Sequence, residues 1–263
     1  KFYQLMASVD ALIAANARGR GLPSADADSY FELVQRNAGM AGGLGEVLDS
    51  SQLMYIAVRL WSTAEKLGGR ELCSILNAAI RDDDPALSTH VAVVSRAINA
   101  HCVTGSACAH VRWPAANMTY RGSAMPRALR AFFVTGKQYR APMFVATSIH
   151  QTVAEDFMLR LEPASAEQVP SHQEPVLFTF HFDASLPEKQ RCVHVNFIDR
   201  NDGTVGKEDE FLFAPYSAFT VRTVHWQAMA LVNESIVRPH RIELDVVPDN
   251  TRVPLDLPLA PWC

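Results

Sequence analysis

Glu208-Asp209-Glu210-Phe211-Leu212-Phe213-Ala214-Pro215 is the stretch on which the reading of the chain turns. Three carboxylates run into an aromatic, β-prone segment that a proline closes, the pattern of a short buried strand with an acidic entrance. In a strand, side chains two apart share a face. Glu208 and Glu210 are therefore expected to form a carboxylate pair, with Asp209 turned away. Taken alone, the triplet reads first as a solvated strand edge, which describes most isolated acidic triplets.

Working outward, strands are expected over 176–182, 192–198, 208–213, 218–224 and 242–247, with Asn201-Asp202-Gly203 as the turn between the second and third. Upstream, Phe144 to Ser148 reads as a strand with a helix behind it over 153–161. The proline- and serine-bearing segment 162–175 reads as an exposed loop. Before Trp113-Pro114 the period changes. The first ~110 residues carry helical spacing, with helices expected over 50–67 (stopped by Gly68-Gly69), 71–80 and 85–100. Asp82-Asp83-Asp84 lacks the alternating oxygen ligands of a calcium loop, and Asp84 followed by Pro85 reads as a helix start. The expected class is α+β, a helical region over 1–112 packed on a β-rich domain over 113–263.

Composition narrows the function. The chain has 263 residues, 48% of them hydrophobic, and a net charge of -4. That is a globular balance with no broad basic surface for nucleic acid. No apolar run approaches the ~20 residues of a membrane span. Five cysteines without Cys-x-x-Cys spacing read as buried or free thiols of a reducing compartment rather than a zinc site. The first residue is Lys1, with no signal peptide in view, which fits earlier removal of a targeting segment; cytosolic and secreted settings both stay open. Gly39 to Gly45 does not follow a strand and misses the dinucleotide fingerprint, so it reads as a connector. Gly136-Lys137 lacks the rest of a phosphate loop, the histidines miss metalloprotease spacing, and no Gly-x-Ser-x-Gly elbow is present.

Three motifs in order resemble the arginine-specific mono-ADP-ribosyltransferases, the arginine-serine-glutamate clade that includes cholera-toxin-like and ecto-enzyme members. Thr119-Tyr120-Arg121-Gly122 resembles the first signature, an arginine ending an early strand. Phe144-Val145-Ala146-Thr147-Ser148 followed by Val153-Ala154-Glu155-Asp156-Phe157 resembles the second, a Ser-Thr-Ser strand leading into a helix. Glu208-x-Glu210 with Phe211 to Pro215, then Phe219-Thr220-Val221, resembles the third. Leu76 to Arg81 is similar to the helical region that precedes the family's arginine strand, so the resemblance spans roughly 70 to 225. One departure stands out: Ala146 replaces the first serine of the Ser-Thr-Ser pattern, and Ser148 is the hydroxyl left on the same face.

The resemblance implies a β-sandwich with an NAD cleft, NAD as substrate, no metal, and an acceptor protein presenting an arginine. Cleavage of the nicotinamide–ribose bond develops positive charge on the ribose, and a carboxylate placed there stabilises it. Glu210 is the candidate, and the resemblance adds a hydrogen bond to a ribose hydroxyl. Glu208 would align the incoming guanidinium and take its proton. Arg121 would clamp the NAD phosphates, since its fork matches phosphate oxygens. Gly122 would let backbone approach the nicotinamide amide, and Thr147 and Ser148 are further binding candidates, with ordinary strand hydroxyls as the competing reading. Phe180 is a candidate to pack on nicotinamide, with an inward core aromatic as its competing reading. The resemblance places loop 199–207 against the acceptor protein. Two alternatives remain: an NAD glycohydrolase with the same residues, and a non-catalytic NAD-binding interaction module marked by Ala146.

Overall fold

The structure is a computed structural model and describes residues 2–21, 50–63, 66, 69–102, 113–159, 173–198, 209–227 and 238–261. Contacts divide the chain into two compact units, residues 1–109 with 200–206, and residues 110–199 with 207–263.

The described part of the first unit is helical: α1 (Phe2–Gly19), α2 (Ser50–Ser62), α3 (Leu72–Asp82) and α4 (Ser88–Cys102). Leu5, Val9, Leu12 and Ile13 of α1, Leu72, Ile75, Leu76 and Ala79 of α3, and Val94, Ile98 and Cys102 of α4 are all buried. Their three- and four-residue spacing is the apolar stripe that brings the helices together, and α1 and α2 both pack on α4. α3 stops because Asp83 turns left-handed at φ 47°. Asp84 then accepts a hydrogen bond from the Ala86 amide at 2.9 Å, closing a local turn rather than capping the helix expected to start there. Residues 85–87 are spent in that turn, so the helix begins at Ser88 rather than at 85. α2 ends at Ser62, short of the expected 67.

The second unit is built on one eight-stranded sheet in the order β2-β7-β8-β4-β1-β3-β6-β5. Its strands are β1 (Met118–Pro126), β2 (Gln138–Ala141), β3 (Val145–Ser148), β4 (Gln173–His181), β5 (Val195–Ile198), β6 (Glu210–Phe213), β7 (Ser217–His225) and β8 (His240–Val246). Neighbours pair antiparallel except β4 and β8, which run parallel. The sheet folds over itself. Phe213 of β6 lies 5.5 Å, centroid to centroid, from Phe180 of β4 and 5.2 Å from Phe219 of β7, although neither strand is its neighbour. Alternate residues of β4 (Val176, Phe178, Phe180), β6 (Phe211, Phe213) and β8 (Ile242, Leu244, Val246) fill the space enclosed. This is the sandwich packing of two inner faces, reached within one sheet.

α5 (Gln151–Leu159) covers the other face at β1 and β4. Ala154 and Met158 pack with Leu177 and Tyr120. Gly122 makes this approach possible: a Cβ there would sit 1.7 Å from the Ala154 carbonyl oxygen.

Several strands differ from expectation at their ends: β4 begins at Gln173, inside the segment 162–175 expected as an exposed loop, because Glu174 is buried in the sheet, and β8 begins at His240. The segment expected from 192 enters β5 only at Val195, because a helical turn at Glu188–Arg191 precedes it. The strand expected from 208 enters the ladder only at Glu210. Asp209 is left-handed at φ 41°, so strand alternation does not run back through it.

Two buried charged groups tie the sheet together. Arg140 of β2 donates to the carbonyls of Tyr216, Asn250, Val253 and Pro254 at 2.9–3.2 Å. Glu174 of β4 receives both arms of the Arg130 fork at 2.6 and 2.7 Å and lies 3.2 Å from His240 Nε2. Burial pushes the Glu174 carboxyl up, but Arg130 and His240 outweigh it and hold it below the ordinary carboxylate range.

Candidate active site

β3 is the strand on which the candidates meet. It lies between β1 and β6, joined to β1 by the single pair Tyr120↔Ser148 and to β6 by four pairs ending at Ser148↔Glu210. Residues directly opposed in a ladder project to one face, with Cβ atoms about 4.5–5.5 Å apart. Ser148 and Glu210 therefore share a face. It is the face opposite the aromatic core, since Phe211 and Phe213 point into that core and side chains alternate. Both are nearly excluded from solvent, at 5% and 4% exposure.

Arg121 reaches β3 from β1, where it stands opposite Phe178 and so leaves the strand on the core face, the other face from Ser148 and Glu210. Its guanidinium Nη1 donates to the Ala146 carbonyl at 2.8 Å, spanning the seam where β1 and β3 part after one pair. Arg121, Ser148 and Glu210 thus come from three adjacent strands, in the order β1, β3, β6.

The other candidates fall in different surroundings. Thr147 is buried and its hydroxyl donates to the Phe211 carbonyl at 3.0 Å, so it stitches β3 to β6. Gly122 has its missing side chain aimed at α5, whose Ala154 carbonyl occupies that space. Phe180 is fully buried in the aromatic core against Phe213 and Phe219. Glu208 and the loop 199–207 lie outside the described residues.

Spacing in the sequence does not reveal one feature next to Glu210. His150 Nε2 lies 2.7 Å from Asp209 Oδ2, and the His150 amide donates to Ser148 Oγ at 3.0 Å. The two residues are 59 positions apart, and only the β3–β6 register makes them neighbours. Among the described residues no group of three His, Cys, Asp or Glu side chains is placed to hold a metal ion. No described helix is long and apolar enough to cross a membrane.

No family model and no curated protein matches the sequence. Solved structures do match the fold. The ADP-ribosyltransferase Vis, a toxin of Vibrio splendidus, superposes with a TM-score of 0.52 at 16% identity, covering 86% of this chain and 87% of its own. Exoenzyme S of Pseudomonas aeruginosa, solved with human 14-3-3 protein beta and carba-NAD, gives 0.46 at 14% identity over 96% and 93% of the two chains. HopU1 of Pseudomonas syringae pv. tomato DC3000, also an ADP-ribosyltransferase, gives 0.45 at 16% over 74% and 76%. The fold likeness stands on Vis: this chain has an ADP-ribosyltransferase-type α+β fold, with helices before a folded-over sheet.

Proposed function

We propose that the chain transfers ADP-ribose from NAD to the guanidinium of an arginine on an acceptor protein, with water as the alternative acceptor. The reading is carried by the placement of Arg121, Ser148 and Glu210 on three adjacent strands, the guanidinium on the Ala146 carbonyl and the carboxylate opposite the hydroxyl. A fold alone does not define a reaction; these three groups are what this fold would need for one.

In this reading Arg121 holds the NAD phosphates, its planar fork matching phosphate oxygens. Glu210 stands beside the ribose. As the bond from nicotinamide nitrogen to ribose C1′ breaks, the electron pair leaves with neutral nicotinamide, and the carboxylate stabilises the cation left on the sugar. Ser148 accepts from the His150 amide. With Glu210 as its cross-strand partner, it supplies the hydroxyl that the departure at Ala146 removes two residues earlier. That placement favours the catalytic reading over the non-catalytic module. Glu208 takes the proton from the incoming guanidinium, whose nitrogen attacks C1′. Thr147 and Gly122 serve the site through the strand and helix they anchor, and Phe180 through the core.

The test is parallel measurement of nicotinamide release and agmatine modification in the wild type and in Glu208→Ala. Transfer is expected to fall at least ~10-fold while hydrolysis persists, because only the acceptor step needs the second carboxylate. Hydrolysis without any transfer in the wild type would replace the reading with a glycohydrolase. Transfer undiminished in the variant would remove the arginine assignment of Glu208.

A further inference from the structure

We propose that His150 and Asp209 form a positioning pair that pins the start of β6 to the end of β3 and thereby fixes the Glu210 carboxylate; this rests on Glu210 acting in NAD cleavage.

The argument begins with where Glu210 sits. It is the first residue of β6, so its backbone is the terminal rung of the ladder, and terminal rungs fray. The residue before it, Asp209, leaves the strand in a left-handed conformation at φ 41°, which aspartate tolerates better than most side chains but does not seek. Something must hold that turn. The Asp209 carbonyl accepts from the Ile149 amide at 3.4 Å, a long bond. Its carboxylate meets His150 Nε2 at 2.7 Å, a short one.

His150 is itself tethered, its amide bonded to Ser148 Oγ, and Ser148 is the direct partner of Glu210. The connections close on themselves. From Glu210 the path runs across the ladder to Ser148, through its hydroxyl to His150, through the imidazole to Asp209, and along the chain back to Glu210. Such a closed circuit restrains both the angle at which β6 enters and the side on which Glu210 leaves it. A shift of ~1 Å in a reacting group costs on the order of 100-fold in rate, so a restraint here acts on turnover. The pair is half-exposed, with side chains at 46% and 33%, and exposed pairs add little to folding stability. Its effect on catalysis is therefore separable from any effect on folding.

The experiment measures nicotinamide release as a function of NAD for the full chain and four variants, with thermal unfolding as a check of folding. His150→Ala and Asp209→Gly both open the circuit, and the glycine keeps the left-handed backbone free of strain. Each is expected to lower kcat about 10-fold, with KM for NAD within about 2-fold of wild type, because the pair orients a group and does not bind the phosphates. His150→Gln retains an N–H donor and Asp209→Asn retains an acceptor oxygen, and both are expected to recover most of kcat. Wild-type kcat in His150→Ala and Asp209→Gly overturns the proposal, as does a loss confined to KM or a glutamine variant as slow as alanine. A wild type that releases no nicotinamide overturns the assignment of Glu210 and the positioning role together, an outcome distinct from an active enzyme with indifferent variants.

Discussion

Ser148 and Glu210 close the β3–β6 ladder as its last pair, 62 residues apart in sequence and facing each other from adjacent strands. The pair sets a hydroxyl beside a carboxylate that is nearly shielded from water. In such surroundings a charge interacts more strongly with whatever lies next to it than it would in solvent, the condition under which a carboxylate stabilises a developing cation.

Glu210→Gln keeps the shape of the side chain and removes its charge. Nicotinamide release and transfer are both expected to fall at least ~100-fold, the scale for loss of a transition-state charge partner. Folding, followed by circular dichroism, should be unchanged. Turnover near the wild-type rate would take Glu210 out of bond cleavage.

Gly122→Ala tests the packing beneath the site. The new methyl group would meet the Ala154 carbonyl oxygen at 1.7 Å, and a helix backbone cannot yield as a flexible side chain does. α5 must move, at a cost of about 1–3 kcal/mol or more. Urea unfolding should show the loss directly, and a variant as stable as wild type would mean that α5 is free to shift.

His194 predicts a dependence on acid. The ring is buried, and neither nitrogen has a hydrogen-bond partner among the described residues. Burial lowers its pKa to about 4, with Asp249 opposing and Arg140 adding to the shift. A group with a folded pKa below its unfolded value binds its proton more readily when unfolded. Its contribution to stability is thus complete above the unfolded value near 6.5 and is lost as pH falls from there toward 4. The slope in that window reaches at most ~1.4 kcal/mol per pH unit for one group. His240, also lowered by burial, adds in the same direction. His194→Leu should flatten unfolding free energy against pH between 6.5 and 4.5 without abolishing the trend. Equal slopes in variant and wild type would exclude His194 as a source.

What the sequence made legible followed from alternation. Phe178 and Phe180, Phe211 and Phe213, and Ile242 and Leu244 stand two apart on single faces and mark β4, β6 and β8 in the sequence itself. Arg121, Ser148 and Glu210 stood out through the ordered motifs around them, and strand register sets Ser148 opposite Glu210. β2 was hidden because it is four residues long and has Arg140 at its centre; a buried arginine satisfied by four carbonyls looks like a surface residue in a string of letters. The departure of Asp209 from the strand was hidden for a related reason. The left-handed turn at Asp209 carries its side-chain contact to His150, 59 positions away beyond the end of another strand. The same holds for Gly122, whose neighbour is a helix carbonyl.

The parallel pairing of β4 with β8 sets a condition on how the chain reaches this arrangement. Val176 and His240 are partners across 64 residues, and β1 sits between β4 and β3 although β2 follows it in sequence. Contacts of such long sequence separation are slow to form, because the intervening chain must be closed before any pairing offsets the lost entropy. No hairpin of consecutive strands contains both Arg121 and Glu210. A nascent or refolding chain therefore does not bring these two residues into one sheet until that sheet is nearly complete. A ligand held by these residues would slow unfolding while leaving the folding rate untouched.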